Sequence, residues 1–345
     1  MSNYFVERNE KNTQALDNIM GELPEFCEDF FIGIESRTTP LTRINYARDL
    51  GIFFDFLVKK LPKFDNFRIT ELELKHLNAV TSSNIEKFLS YLSFYEHNGK
   101  KIQNNDKAKA RKLAAVRSLF KYFFNKDKLD ANVATKIEMP KIHTKEIIRL
   151  EVDEVVKLLD QTEAPIKFSH MQLEFNKHTR TRDLAILTLF LGTGIRISEL
   201  VGLNLDDIDF NANSFRIMRK GGNQAILYFS DEVADALREY FEKRKLNKKT
   251  DDNALFLSLR NERIGVRAVE KLVKKYSSVS TPLKKITPHK LRSTYGTNLY
   301  RETGDIYMVA DVLGHKDVNT TRKHYAAISE DIRKSAANKV KLRDN

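Results

Sequence analysis

Four separated segments carry polar residues that folding alone does not require: Thr193-Gly-Ile-Arg196-Ile-Ser-Glu199, Arg219-Lys220-Gly-Gly, Thr287-Pro-His289-Lys-Leu-Arg292, and Leu313-Gly-His315 followed by His324-Tyr325. A guanidinium is a planar fork of N–H donors that stays charged and meets two phosphate oxygens at once. Arg196 follows a glycine break near a helix start, where its side chain can project toward a bound phosphate. His289 and Arg292 stand three apart at the start of a helix opened by Thr287-Pro288, so they share a face at its positive end. Lys220 lies in a turn whose paired glycines let the backbone approach a ligand closely. His315 follows Gly314, a helix stop. Each has a plainer reading: a surface arginine paired with Glu199, an exposed His/Arg pair, a solvated turn lysine, a structural histidine.

The whole chain leans the same way. Its 345 residues hold 59 Lys+Arg against 47 Asp+Glu, a net charge of +12, which points to a polyanionic partner: nucleic acid first, an acidic membrane surface second. With 41% hydrophobic residues, 22 Phe and 12 Tyr, the chain can pack real cores, which excludes a wholly disordered basic tail. The longest apolar run, 184–191, is far short of the roughly 20 residues that span a bilayer. A polar, acidic start without an apolar run shows no secretory signal, and the one cysteine, Cys27, cannot form an internal disulfide; a cytoplasmic protein is expected. There is no Gly-x-x-x-x-Gly-Lys loop, no Cys/His cluster and no evident magnesium-spaced carboxylate set, so no cofactor is expected.

The elements that must position these residues fall into two groups. Residues 12–137 read as helical throughout, with four main helices. The first spans about 12–35 and is interrupted by Pro24; the second starts at Thr39-Pro40. The third opens at Ser83 with Glu86 as a capping box and aligns Ile85, Phe88, Leu89, Leu92 and Tyr95. The fourth, 106–124, puts Leu113, Val116, Phe120 and Phe124 behind a cationic side of Lys107, Lys109, Arg111, Lys112, Arg117 and Lys121. The second helix repeats that arrangement with Arg43, Arg48, Lys59 and Lys60. Either side is a solvated face or a DNA contact; two in one bundle favour DNA.

A short charged stretch, 141–149, marks the boundary. Beyond it come a helix at 153–159, an apolar helix at 182–191 stopped by Gly192-Thr-Gly194, and strands at 214–219 and 224–229 around Lys220-Gly-Gly-Asn223, then helices to the end. The stretch 161–181, with His170 and His178, has no function legible in it.

In their order, the four segments resemble the tyrosine recombinase (phage-integrase-type) family, strongly over about 150–328 and more loosely through the helix at 110–123. The first Arg-x-x-Glu follows Gly-Thr-Gly, the His-x-x-Arg follows Thr-Pro, and Leu-Gly-His precedes Thr-Thr-x-x-x-Tyr. The resemblance implies a mainly α fold with a small β-hairpin or sheet. It further implies a helical, SAM-like core-binding domain and a mixed α/β catalytic domain, together a C-shaped clamp on duplex DNA. The divisions expected are an N-terminal extension at 1–23, the core DNA-binding domain at 24–140, a linker at 141–149, and a catalytic domain at 150–345 whose tail from Ser329 docks on a neighbouring protomer.

The resemblance also assigns roles. Arg196 and Arg292 clamp the phosphate, with Glu199 in support. His289 either accepts the tyrosine proton or donates to phosphate, and His315 is a further donor. Lys220 protonates the leaving 5′ oxygen, and Tyr325 is the nucleophile that forms a 3′-phosphotyrosine. Tyr295, Tyr300 and Tyr307 are rivals read as core residues. Partners implied are double-stranded DNA with a specific recombination site and a homotetramer on two sites, with or without an accessory protein, and no membrane. Energy stays in the covalent bond, so neither ATP nor metal is called for. An Xer-like role in chromosome dimer resolution stands beside a mobile-element integrase, and from another class a catalytically inactive DNA-binding regulator. Tyr325 comes ten residues after His315, where Xer-type members usually have nine.

Overall fold

The computed structural model describes residues 3–97, 99–142, 148–166, 168–219, 222–245, 253–315 and 317–325. Two compact units divide the chain, Met1–Thr144 and Lys145–Asn345. Among the described residues no helix is long and apolar enough to cross a membrane.

The first unit contains α1 (Asn3–Met20), α2 (Cys27–Gly33), α3 (Pro40–Lys60), α4 (Ser82–Tyr91), a hairpin of β1 (Tyr95–His97) and β2 (Lys100–Ile102), and α5 (Asp106–Phe124). The single helix expected at 12–35 is two. Gly21 and Pro24 stop the pattern between them, and α2 begins where the Cys27 amide donates to the Pro24 carbonyl. Helix α1 begins far earlier than expected and packs along α3, burying Leu16. Helix α3 starts as expected, with Thr39 Oγ1 accepting from the Thr42 amide and Pro40 in the first turn.

Helix α4 is capped by Thr81 and Asn84 rather than by Ser83 and Glu86. It ends before Tyr95, which is buried as expected but from a strand paired with Ile102. Gly99 makes that hairpin's turn at φ +71°. Helix α5 matches its expected span, with Asn105 as N-cap. Phe30, Phe53, Phe54, Phe88, Phe120 and Phe123 fill the core between the helices, each stabilising the fold by about 1.5–3 kcal/mol. Phe124, expected among them, is exposed, because α5 turns it away from that core.

The second unit contains α6 (Val152–Glu163), α7 (His170–Thr193), α8 (Ile197–Leu200), β3 (Ile208–Asp209), β4 (Ser214–Met218), β5 (Gln224–Tyr228), α9 (Asp231–Lys245), α10 (Val266–Ser280), α11 (Pro288–Thr303), α12 (Ile306–Leu313) and α13 (Val318–Tyr325). Its sheet is antiparallel in the order β3-β4-β5, and the β4–β5 register closes at Met218 opposite Gln224. Helix α7 runs through the middle: Ala185, Ile186, Leu187, Leu189 and Phe190 are fully buried, and α6, α9 and α11 pack around it.

The stretch 161–181 supplies a loop tied by Gln161 to Ile166 and the first half of α7, capped by Ser169. His170 and His178 on it are exposed. Its Asn176 faces inward, 2.6 Å from the Tyr276 hydroxyl, which also lies 2.9 Å from Asp183 Oδ2. Burial, with Asp183 adding to it, holds the Tyr276 phenol well above its ordinary range. The segment thus sends Asn176, Thr179 and Thr181 into the unit's interior, while Met171 and Phe175 on it are exposed.

Candidate active site

Helix α7 ends at Gly194, whose φ of +62° reverses the chain. A Cβ there would lie 2.5 Å from Tyr295 and 2.8 Å from Leu313, so glycine is required for α7 to close on α11 and α12. The reversal delivers Arg196 to the N-cap of α8. Glu199, buried, fixes it twice: Oε1 accepts from Arg196 Nη1 at 2.8 Å and Oε2 from the Arg196 amide at 2.9 Å. The pair expected at i,i+3 is present but is not a surface pair. Arg196 Nη2 then reaches the carbonyls of Leu313 at 3.0 Å and Gly314 at 2.9 Å, with one third of the side chain still exposed.

Arg292 comes from α11, buried at 6% exposure, and donates to the carbonyls of Gly194 and Leu313. Two arginines distant in sequence therefore share the Leu313 carbonyl at the end of α12. Helix C-termini carry unpaired carbonyls and partial negative charge, which is why cations gather there. His289 lies in the first turn of α11 and is exposed, so burial separates it from Arg292. Thr287 precedes that helix in extended conformation but makes no side-chain cap bond; Pro288 alone supplies the expected start signal.

Gly314, at φ +60°, ends α12 and turns the chain to His315. The His315 Nδ1 lies 2.7 Å from the Oγ1 of Thr321, a fully buried residue of α13. This contact ties the turn to the helix whose last residue is Tyr325. The side chain of Tyr325 lies outside the described residues, as does Lys220. Of the rival tyrosines, Tyr295 and Tyr300 pack against Val309 and Leu313 as expected, and burial raises the Tyr295 pKa above the usual phenol range. Tyr307 is 71% exposed and is not a core residue, because it faces outward from the first turn of α12.

One residue in this region was not singled out by type. Arg219, at the end of the β4 side of the hairpin, donates to the carbonyls of Asp311 at 3.2 Å and Val312 at 3.0 Å. Its only sequence signal is its place directly before Lys220-Gly221-Gly222.

The expected cationic faces of the first unit are narrower than their composition. Arg43 is buried and paired with Glu35, and Lys112 is buried 3.6 Å from Asp49, so neither is displayed. Lys112 lies beside a buried carboxylate of another helix, whereas the carboxylate that Arg43 meets is itself exposed. Burial pushes the Asp49 carboxyl up and the Lys112 ammonium down. Arg111 also pairs with Asp49, at 2.7 Å, with nearly half its side chain exposed. Arg117 holds the carbonyls of Ala134 and Thr135. Arg48, Lys107 and Lys121 are exposed. If these three meet phosphates, Lys107→Ala and Lys121→Ala each lower the slope of log K against log salt by about 1, whereas Lys112→Met leaves it unchanged. Filter binding across a salt series measures this, and an unchanged slope in both alanine variants removes them from the interface.

A turn that collects two guanidiniums and a histidine thus stands next to a helix whose last residue is tyrosine. The model of the phage integrase family matches residues 148–331, and the chain belongs to that family. It is 33% identical over 329 residues to the tyrosine recombinase XerC of Caldanaerobacter subterraneus subsp. tengcongensis, covering 93% of this chain and 86% of that protein. With the tyrosine recombinase XerD of Staphylococcus epidermidis it shares 28% identity over 306 residues, 88% of this chain and 94% of the relative. Among solved structures, the XerH recombinase bound to its difH substrate shares the fold at a TM-score of 0.62 and 21% identity, over 84% of this chain and 76% of that one. Tyrosine recombinases cleave and rejoin DNA, and that is the reaction of this chain.

Proposed function

We propose that this protein is an Xer-like site-specific recombinase in which Tyr325 attacks a DNA phosphate held by Arg196 and Arg292. The tyrosine oxygen forms a bond to phosphorus, its proton passing to His289 or to solvent. The bond from phosphorus to the 5′ oxygen breaks, and that oxygen takes a proton from Lys220. Arg196, Arg292 and His315 stabilise the charge on the non-bridging oxygens as it develops. Reversal by the 5′ hydroxyl of another strand rejoins the DNA without ATP, because the phosphotyrosine bond conserves the energy. The observation that carries this reading is the convergence of Arg196 and Arg292 on the Leu313 carbonyl.

Relatives named XerC and XerD that span most of this chain favour chromosome dimer resolution, by four protomers on two sites in the cytoplasm. The first unit would supply the core DNA-binding domain. The ten-residue spacing from His315 to Tyr325 favours the second reading, integration of a mobile element.

A supercoiled plasmid bearing one or two copies of a dif-like repeat, incubated in EDTA, tests the class. Recombinant circles are expected from the two-site plasmid alone, and in EDTA, because the clamp is built from arginines. Equal relaxation of both plasmids would mean a type IB topoisomerase, DNA binding without product an inactive regulator, and rescue only by magnesium a metal-assisted site.

A further inference from the structure

We infer that Arg219 is a positioning residue that seats the Lys220 hairpin on the same turn that holds the arginine clamp. The inference rests on the assignment of Lys220 as general acid. The β4–β5 ladder ends at Met218 and Gln224, and beyond it the Arg219 amide donates to the Asn223 carbonyl at 2.8 Å and the Gly222 amide to the Arg219 carbonyl at 3.2 Å. A two-stranded tip of this kind has little stability of its own, so its direction must be set by something it touches.

Arg219 supplies that contact. Its guanidinium spans the carbonyls of Asp311 and Val312, and it covers Gly314 so closely that a Cβ there would lie 2.4 Å from Nη1. Four consecutive carbonyls, 311 to 314, are thereby taken by three arginines: Arg219 on the first two, Arg196 on the last two, and Arg292 on the third. The three come from the hairpin, the α8 N-cap and α11. Arg219 is the backbone neighbour of Lys220, as Gly314 is of His315. The end of α12 is thus the shared reference that sets the hairpin against the phosphate clamp. Loss of this anchor frees the tip from which Lys220 continues in sequence, while Arg196 and Arg292 keep their own partners. A misplacement of about 1 Å is enough to cost ~10²-fold in rate.

The test is single-turnover cleavage by the full-length protein of two nicked suicide substrates. One has the natural 5′ bridging oxygen and the other sulfur at that position. A thiolate departs without a proton, so a defect confined to the general acid vanishes on sulfur. Arg219→Ala is expected to cleave the oxygen substrate ~10²-fold more slowly and the sulfur substrate near the parental rate. Arg219→Lys, which keeps the charge on a single donor nitrogen in place of a two-nitrogen fork, is expected to fall between Arg219→Ala and the parent on oxygen. Arg219→Ala with Lys220→Ala should be no slower than Lys220→Ala alone. Equal losses on both substrates, a parental rate on oxygen, or losses that multiply in the double variant each overturn the positioning role. If Lys220→Ala alone recovers on sulfur and Arg219→Ala does not, only the positioning role falls. If Lys220→Ala itself fails to recover, the general-acid assignment falls and takes this one with it.

Discussion

Tyr325→Phe is expected to bind DNA as the parent does and to form no covalent adduct. The substitution removes one oxygen and leaves the ring, so contacts that depend on shape and on the cationic faces survive. The proposed reaction does not, because in it that oxygen is the atom that bonds to phosphorus. A phenol of pKa ~10 is about 0.1% ionised at neutral pH, so the site must both accept its proton and present a cationic field at the phosphate. Arg196 and Arg292 at the end of α12 are placed for the field. Two of the three rivals, Tyr295 and Tyr300, are packed against Val309 and Leu313, and the Tyr295 phenol is pushed further from ionisation by burial; Tyr307 faces outward from the first turn of α12. A nicked suicide substrate traps the adduct on a denaturing gel, with binding followed by mobility shift. Adduct formation by Tyr325→Phe at the parental rate would assign the nucleophile elsewhere.

Lys220→Ala is expected to slow cleavage of natural DNA by ~10²–10⁴, the range for removal of a general acid. The size alone does not distinguish proton transfer from phosphate binding, since a lysine that only neutralised charge would give a similar loss. The leaving group does. A 5′ alkoxide is a strong base that leaves poorly without a proton, whereas the thiolate made from a sulfur-bridged substrate is a far weaker base. Lys220→Ala therefore regains most of its rate on sulfur. Arg196→Ala does not, because in the proposed mechanism its guanidinium acts on the non-bridging oxygens, which are the same in both substrates. Rates measured in single turnover exclude product release from the comparison. Equal impairment of Lys220→Ala on both substrates would reduce the lysine to a charge in the hairpin turn.

Much of the candidate site was legible because its signals are local. Gly194 and Gly314 mark helix ends, Pro288 a helix start, and Lys220-Gly-Gly-Asn223 the gap between two paired strands, and those ends, that start and those strands lie where the signals put them. Helix α5 was equally plain, since an apolar period of that length admits one element. The β1–β2 hairpin was not, because two three-residue strands leave no periodicity to read, and Tyr95 satisfies a helical stripe and a strand equally well.

By itself, then, the sequence determined residue types, their order and the turns that carry them, which is information held within a few neighbours along the chain. Only the tertiary structure decided which cations are displayed and which are spent inside. Arg43 and Lys112 share the composition of a DNA-facing side, but both are buried, Lys112 beside the buried Asp49 and Arg43 paired with the exposed Glu35. Arg219 looked like any turn arginine until α12 ended beside it. The shared Leu313 carbonyl joins Arg196 and Arg292, which no spacing along the chain relates. A helical period says which residues face inward, and it does not say what they will meet there. Burial and charge pairing are set by the packing of separate elements, and that packing is a property of the folded chain.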